Sequence, residues 1–141
     1  MASSVQIDLL PLAAQTASGA GPTTDVSGIK ELAVFAHVTT GSGSLSGGHF
    51  ALWMESSDDG GVTWYDIAPD YRIVDNDTYT DPVPVLGVVR NIIPDTTTII
   101  TADSKWTAVY TRFGNKVRPR WILSGGSSPS ETFSVKGVGK T

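Results

Sequence analysis

Apolar and polar residues alternate with a period of two in several stretches of the chain, the signature of half-buried β-strands. Glu31–Thr39 shows it best: Leu32, Val34, Ala36 and Val38 fall on one side, Ala33, Phe35 and His37 on the other. Phe50–Ser56 repeats the pattern, with Phe50, Leu52 and Met54 opposite Trp53 and Glu55. The following Ser57-Asp58-Asp59-Gly60-Gly61 is rich in residues that tolerate positive φ, so a tight hairpin turn is expected, with Val62–Ile67 as the return strand. Val5–Leu10 reads as a first strand ended by Pro11, and Ala14–Ala17 leads into a Gly21-Pro22 turn. Thr40–Gly48 reads as a flexible Gly/Ser loop outside any ladder. Tyr71–Val74 and Val85–Ile93 read as strands around Asp81-Pro82-Val83-Pro84, and Thr96–Thr101 is β-branched throughout. Trp106–Phe113, a turn at Gly114-Asn115 and a returning Val117–Leu123 complete the pattern. Pro119 has no N–H for a ladder, so the return strand is expected at an edge or with a bulge. Gly125–Pro129 reads as a loop and Glu131–Val135 as the last strand before a Gly-rich tail.

No stretch keeps apolar residues at i, i+3, i+4 and i+7 over three turns, so little or no helix is expected. Roughly eight to ten short strands without βα alternation pack most naturally as an antiparallel two-sheet β-sandwich. The expected fold class is therefore all-β and jelly-roll-like, although turn spacing fits an immunoglobulin-like Greek key equally well. Residues 1–141 read as one domain, with 1–12 a candidate N-terminal arm and 136–141 a flexible tail.

Composition narrows the chemistry. The absence of cysteine removes disulfides, thiolate metal sites and cysteine nucleophiles. Net charge is −4, from 14 acids and 10 bases, which argues against a nucleic-acid groove. Lys105, Arg112, Lys116, Arg118, Arg120, Lys136 and Lys140 lie in the last third, whereas most acids lie between Asp58 and Asp103, so a dipolar subunit is one reading. Met1–Leu12 lacks a basic n-region, and Asp8 and Pro11 interrupt its apolar run, so neither a signal peptide nor a membrane span is expected. Synthesis in a cytoplasm follows, and Asn76-Asp77-Thr78 then reads as a polar turn and not as a glycosylation site.

Two segments carry a resemblance. Glu55-Ser56-Ser57-Asp58-Asp59-Gly60-Gly61-Val62-Thr63-Trp64 resembles the strand–turn–strand signature of galactose-binding-like (discoidin-type) jelly rolls and of many small phage structural proteins. Val117-Arg118-Pro119-Arg120-Trp121, with Gly125–Val135, resembles the ending of β-sandwich proteins from tailed bacteriophages, often capsid decoration and other head proteins. The resemblance implies a virion structural protein, a cement that sits on the outside of the capsid lattice. It implies the major capsid protein as partner, a homo-oligomer with a trimer favoured, and the capsid surface as location. Neither nucleic acid nor membrane is an expected partner. The alternative is a carbohydrate-binding β-sandwich module on a virion or tail.

Candidate sites are weighed against plainer readings. Asp58-Asp59 with Glu55 and Asp66, and more weakly Asp75-Asn76-Asp77, offer hard oxygens for calcium, but the EF-hand spacing is missing and exposed turns are the better reading. Glu55 and Glu131 could be nominated as a glycosidase pair, yet nothing in the sequence brings them together. His37 and His49 are the available bases for a Ser-His-Asp site, and neither lies in a nucleophile-elbow context. No catalytic residue, cofactor or metal site is therefore expected, and no enzyme. For partner binding, Val5, Ile7, Leu9 and Leu10 form a short apolar arm that either adds to a neighbour's sheet edge or pairs within its own domain. Arg118 and Arg120 alternate around Pro119 as candidate donors to a partner's carboxylates. Among the tryptophans, Trp64 and Trp121 read as core, and Trp53 and Trp106 are the sugar-stacking candidates of the alternative.

Overall fold

The computed structural model describes residues 3–67 and 93–141. Among these, the regular structure is entirely strand: β1 (Ser4–Gln15), β2 (Gly19–Ala20), β3 (Thr24–Asp25), β4 (Glu31–Ser42), β5 (Phe50–Ser57), β6 (Tyr65–Asp66), β7 (Ile93–Thr96), β8 (Ser104–Tyr110), β9 (Lys116–Leu123) and β10 (Ser130–Lys140). One sheet has the order β1-β10-β4-β8. The other has the order β2-β9-β5-β6, with β3 also on β9 and β7 also on β5. Every ladder is antiparallel.

The expected all-β sandwich is therefore present, and its connectivity identifies the kind. The interrupted pairs β2/β3 and β6/β7 each fill one edge position, leaving, among the described residues, eight strand positions whose chain path crosses between the sheets in the order of a jelly roll. The immunoglobulin-like alternative is excluded by that order.

The alternation read from the sequence fills the core. Leu32, Val34, Ala36 and Val38 of β4 are buried and face Phe50, Leu52 and Met54 of β5 across the sandwich. Phe133 of β10 joins the layers, lying 5.6 Å from Phe50 and meeting Trp121 of β9 edge-on at 5.5 Å. Each such side chain contributes about 1.5–3 kcal/mol by leaving water, and aromatic pairs add somewhat more.

Several elements depart from expectation, each for a local reason. β1 runs past Pro11 to Gln15, because it is an edge strand whose register shifts between Asp8 and Leu10 and again between Leu10 and Ala13. A proline at a shifted register on a sheet edge withdraws no ladder donor. β4 extends to Ser42, and Leu45, within the supposed flexible loop, is buried in the core. The return strand after the acidic turn begins at Tyr65 and not at Val62. Thr96–Thr101 is not a strand: β7 ends at Thr96, whose hydroxyl accepts from the Thr98 amide and so competes with the ladder.

Trp106–Phe113 and Val117–Leu123 do not form a hairpin. β8 pairs with β4 in one sheet and β9 pairs with β5 in the other. Pro119 lies at neither an edge nor a bulge of the β5 ladder: Met54 opposes it in unbroken register. Its carbonyl accepts from the Gly21 N–H at 2.8 Å, so its missing donor faces the edge where β2 and β3 are interrupted. The residues after Val135 are no tail; β10 continues to Lys140 between β1 and β4. The arm 1–12 likewise pairs within its own domain, Ser4 to Asp8 matching Lys140 to Lys136. The strands expected at Tyr71–Val74 and over most of Val85–Ile93 lie outside the described residues.

Candidate functional site

The outer face of the β2-β9-β5-β6 sheet carries a cluster of polar and aromatic side chains. β5 and β9 pair Glu55 with Arg118 and Trp53 with Arg120, so these side chains project from one face. The Arg118 Nε donates to the Glu55 carboxylate at 3.0 Å, with only 25% and 13% of the two side chains exposed. The guanidinium also lies 4.1 Å above the centre of the Trp64 ring. Trp64 is thus half-buried beneath Arg118, outside the core where the sequence reading placed it, and its indole N–H donates to the Gly61 carbonyl. Cation–π contact and a partly desolvated ion pair both favour this planar, forked side chain over lysine.

The acidic turn is built around Asp59. One of its carboxylate oxygens accepts from the Val62 and Thr63 amides and from the Ser57 hydroxyl. These bonds, the Thr63 amide first, hold its pKa at about 2 instead of 3.8. Gly60 and Gly61 supply the positive φ that the turn needs, 79° and 100°. The turn is therefore organised by carboxylate-to-backbone bonds, the plainer of the two readings made from the sequence. Among the described residues no group of three or more His, Cys, Asp or Glu side chains forms a metal cluster. Asp75-Asn76-Asp77 lies outside the described residues.

The remaining candidates separate in space. Glu55 belongs to one sheet and Glu131 to the other, where Glu131 is fully buried. The Ile100 amide donates to one Glu131 oxygen at 2.6 Å, while the other oxygen has no partner. Burial pushes its pKa up to about 7. Gly41 makes room for it, since a Cβ there would collide with the carboxylate and with the Ile100 carbonyl. His37 bonds the Asp103 carboxylate on the outer face of the β1-β10-β4-β8 sheet, where Ser134 is its cross-strand neighbour. His37 keeps Asp103 below the usual carboxylate range.

Trp53 and Trp106 do not make a sugar platform together. Trp53 lies on the outer face of β5 and is only 5% exposed, its N–H donating to Asp66. Trp106 is on the other sheet, half-buried and packed against the core. Trp121 is core, as expected, with its N–H on the Ala17 carbonyl.

Of the apolar arm, Leu9 and Leu10 are core residues and cannot meet a partner; Ile7 is half-buried and Val5 is 44% exposed. Their backbone pairs with β10, which fixes β1 as a sheet edge. Among the described residues, four of the seven bases in the last third form ion pairs within the fold. Lys116 meets Asp25, Lys140 meets Glu31, Arg118 meets Glu55 and Lys105 meets Asp103. Arg118 is thus engaged internally, whereas Arg120 makes no ion pair among the described residues. Exposed apolar residues that the sequence reading did not single out are Leu12, Phe35, Val62 and Tyr65. Phe35 was legible as the outward member of the β4 alternation, and Val62 and Tyr65 flank the acidic turn.

No protein-family model matches the chain, and no curated protein matches it. Among solved structures, it is similar to the crystal structure of the SPBc2 prophage-derived protein YomS, at 15% identity and a TM-score of 0.49, over 100% of this chain and 96% of that one.

Proposed function

We propose that the protein is a virion structural protein of a tailed phage, a decoration protein that docks on the outside of a capsid lattice and stabilises it. The observation that carries this reading is the meeting of the two segments that resemble phage structural proteins. Glu55 and Trp64 come from the first and Arg118 from the second, and the three form one clamp on one sheet face. Ser56 and Val117, one from each segment, are also direct cross-strand partners. Two separate sequence likenesses thus describe a single structural unit.

A cement needs a rigid scaffold with apolar contact points on its surface, and the jelly roll offers both. Val62 and Tyr65, 82% and 61% exposed, stand on or just after the Asp59-bonded turn, on either side of Trp64 in sequence. Exposed large apolar side chains on an ordered turn are natural anchors for a partner surface. The role is mechanical, and none of the side chains above is assigned a step of chemistry. The reading predicts that particles lacking the protein rupture at lower temperature and lower osmotic stress, and that adding the purified chain restores the threshold. Equal rupture thresholds with and without it would overturn the cement role. A Val62→Asp, Tyr65→Ala double variant, folded by thermal melting, is expected to bind the shells at least tenfold more weakly.

A further inference from the structure

Sheet edges are templates for another strand, and natural β-proteins blunt them with short strands, lysine, proline or bulges. On the β2-β9-β5-β6 sheet the edge strands β2, β3 and β6 are two residues each, and β7 contains Pro94. On the other sheet, β8 carries Lys105, whose side chain is 72% exposed. The second half of β1 carries Pro11 and two register shifts. Ser4–Asp8 of β1 has none of these devices. It is regular, free of lysine and proline, and its register with β10 is unbroken.

The backbone of this segment faces outward at alternate residues. The Thr141 amide donates to the Ser3 carbonyl, so Ser3 bonds toward β10. The Lys140 carbonyl accepts from Lys30, so Lys140 bonds away from β1 and its partner Ser4 bonds toward the side away from β10. Alternation along an antiparallel ladder then turns Gln6 and Asp8 outward as well. Ser4, Gln6 and Asp8 thus present N–H and C=O pairs at an edge with which no strand among the described residues pairs.

We propose that this edge pairs with the same edge of a second copy of the chain, antiparallel and centred on Gln6, so that two β1-β10-β4-β8 sheets join into one. The sequence is self-complementary in that register. Gln6 opposes Gln6, and Val5 opposes Ile7 of the second copy on the inner side, covering the exposed Val5. Asp8 opposes Ser4, so no like charges face each other, and Asp8 keeps Lys136 as its neighbour within its own sheet. Because the pairing is antiparallel, a two-fold axis generates it and closes it, giving a dimer and not an open fibre. The expected symmetry is therefore two-fold and not the trimer implied by the phage resemblance. About five residues per copy fall short of the ~1,200 Å² of a standard interface, so the dimer is weak and concentration-dependent, with Kd roughly micromolar or higher.

The test uses the isolated full chain, so its outcome is separate from that of the capsid reading. Sedimentation equilibrium across a wide concentration range is expected to show a monomer–dimer equilibrium for the parent protein. Gln6→Pro removes the outward N–H and leaves the ladder to β10 intact; it is expected to weaken dimerisation at least tenfold. Because the chain has no cysteine, Gln6→Cys supplies a second readout. Mild oxidation is expected to give a covalent dimer much faster than for Leu12→Cys, which is also exposed but lies within the second register shift. A parent that stays monomeric to millimolar concentration, or equal cross-linking of the two cysteine variants, overturns the proposal.

Discussion

Glu131 carries a carboxyl group that the fold buries completely. Glu131 sits at an inward position of β10, with one oxygen on the Ile100 amide and the other unpartnered. Burial raises its pKa from 4.5 to about 7, which means that the folded protein holds the proton more tightly than the unfolded chain. The contribution of the neutral acid is complete below about pH 4.5 and is lost as pH rises through about 7. The loss has an upper limit of about 3 kcal/mol, at roughly 1.4 kcal/mol per unit. Glu131→Gln keeps an acceptor for Ile100 and cannot ionise. It is expected to be about 1–3 kcal/mol more stable than the parent at pH 8, with the difference gone near pH 4.5. Urea unfolding at several pH values measures this, and a difference that does not vary with pH would refute the account. The position was legible in the sequence, because Glu131, Phe133 and Val135 share the parity that points into the core. The unpaired oxygen was not legible, since it depends on Gly41 and Ile100, which approach from distant parts of the chain.

Elements are held together on the outer face by the Arg118 clamp, which ties β9 to β5 and to the turn that follows β5. Arg118→Ala removes a partly buried ion pair and a cation–π contact together and leaves Glu55 with 13% exposure and no cation beside it. The expected loss is about 1–3 kcal/mol in denaturant unfolding, with altered Trp64 fluorescence in the folded state, and Arg118→Lys recovers only part of it. A loss below about 0.5 kcal/mol, within the range of ordinary surface substitutions, would return Arg118 to the pool of partner-binding residues. Strand interiors were well read from alternation, as β4 and β5 show, because their inward residues meet the core on a strict two-residue period. Strand ends and pairings were not. Proline appeared to stop β1 and to force β9 outward, yet in both places the missing N–H falls where no neighbour needs it. The short turn at Gly114-Asn115 implied a hairpin, yet there the chain crosses between sheets, with the Gly114 amide bonded to the Ser56 hydroxyl. Local sequence carries the period of a strand and says little about which strand lies beside it.

At the scale of the whole molecule, the jelly roll sets the first and last strands side by side, β1 at a sheet edge and β10 next to it. Ser3 and Thr141 exchange hydrogen bonds, and β10, the last strand, lies between β1, the first, and β4. That arrangement reverses the expectation for residues 136–141, which read as a flexible glycine-rich tail. Gly137 and Gly139 are inward positions opposite Val34 and Leu32 of β4, and their missing side chains leave space that Leu9, Leu32 and Ile29 fill. Removing 136–141 would strip β1 of its partners from Ser4 to Asp8 and β4 of its partners from Glu31 to Phe35, exposing backbone groups on both flanks of the gap. It would also uncover Leu32 and Val34, which are wholly buried. A truncated chain ending at Val135 is therefore expected to lose its cooperative thermal transition and the dispersed amide spectrum of a folded protein. Joining the termini by a short linker and opening the chain at the exposed turn near Gly47 should instead preserve both, because the contacts are kept and only the connectivity changes. If the truncated chain melts cooperatively within a few degrees of the parent, β10 does not bind the sheet in the way its central position requires.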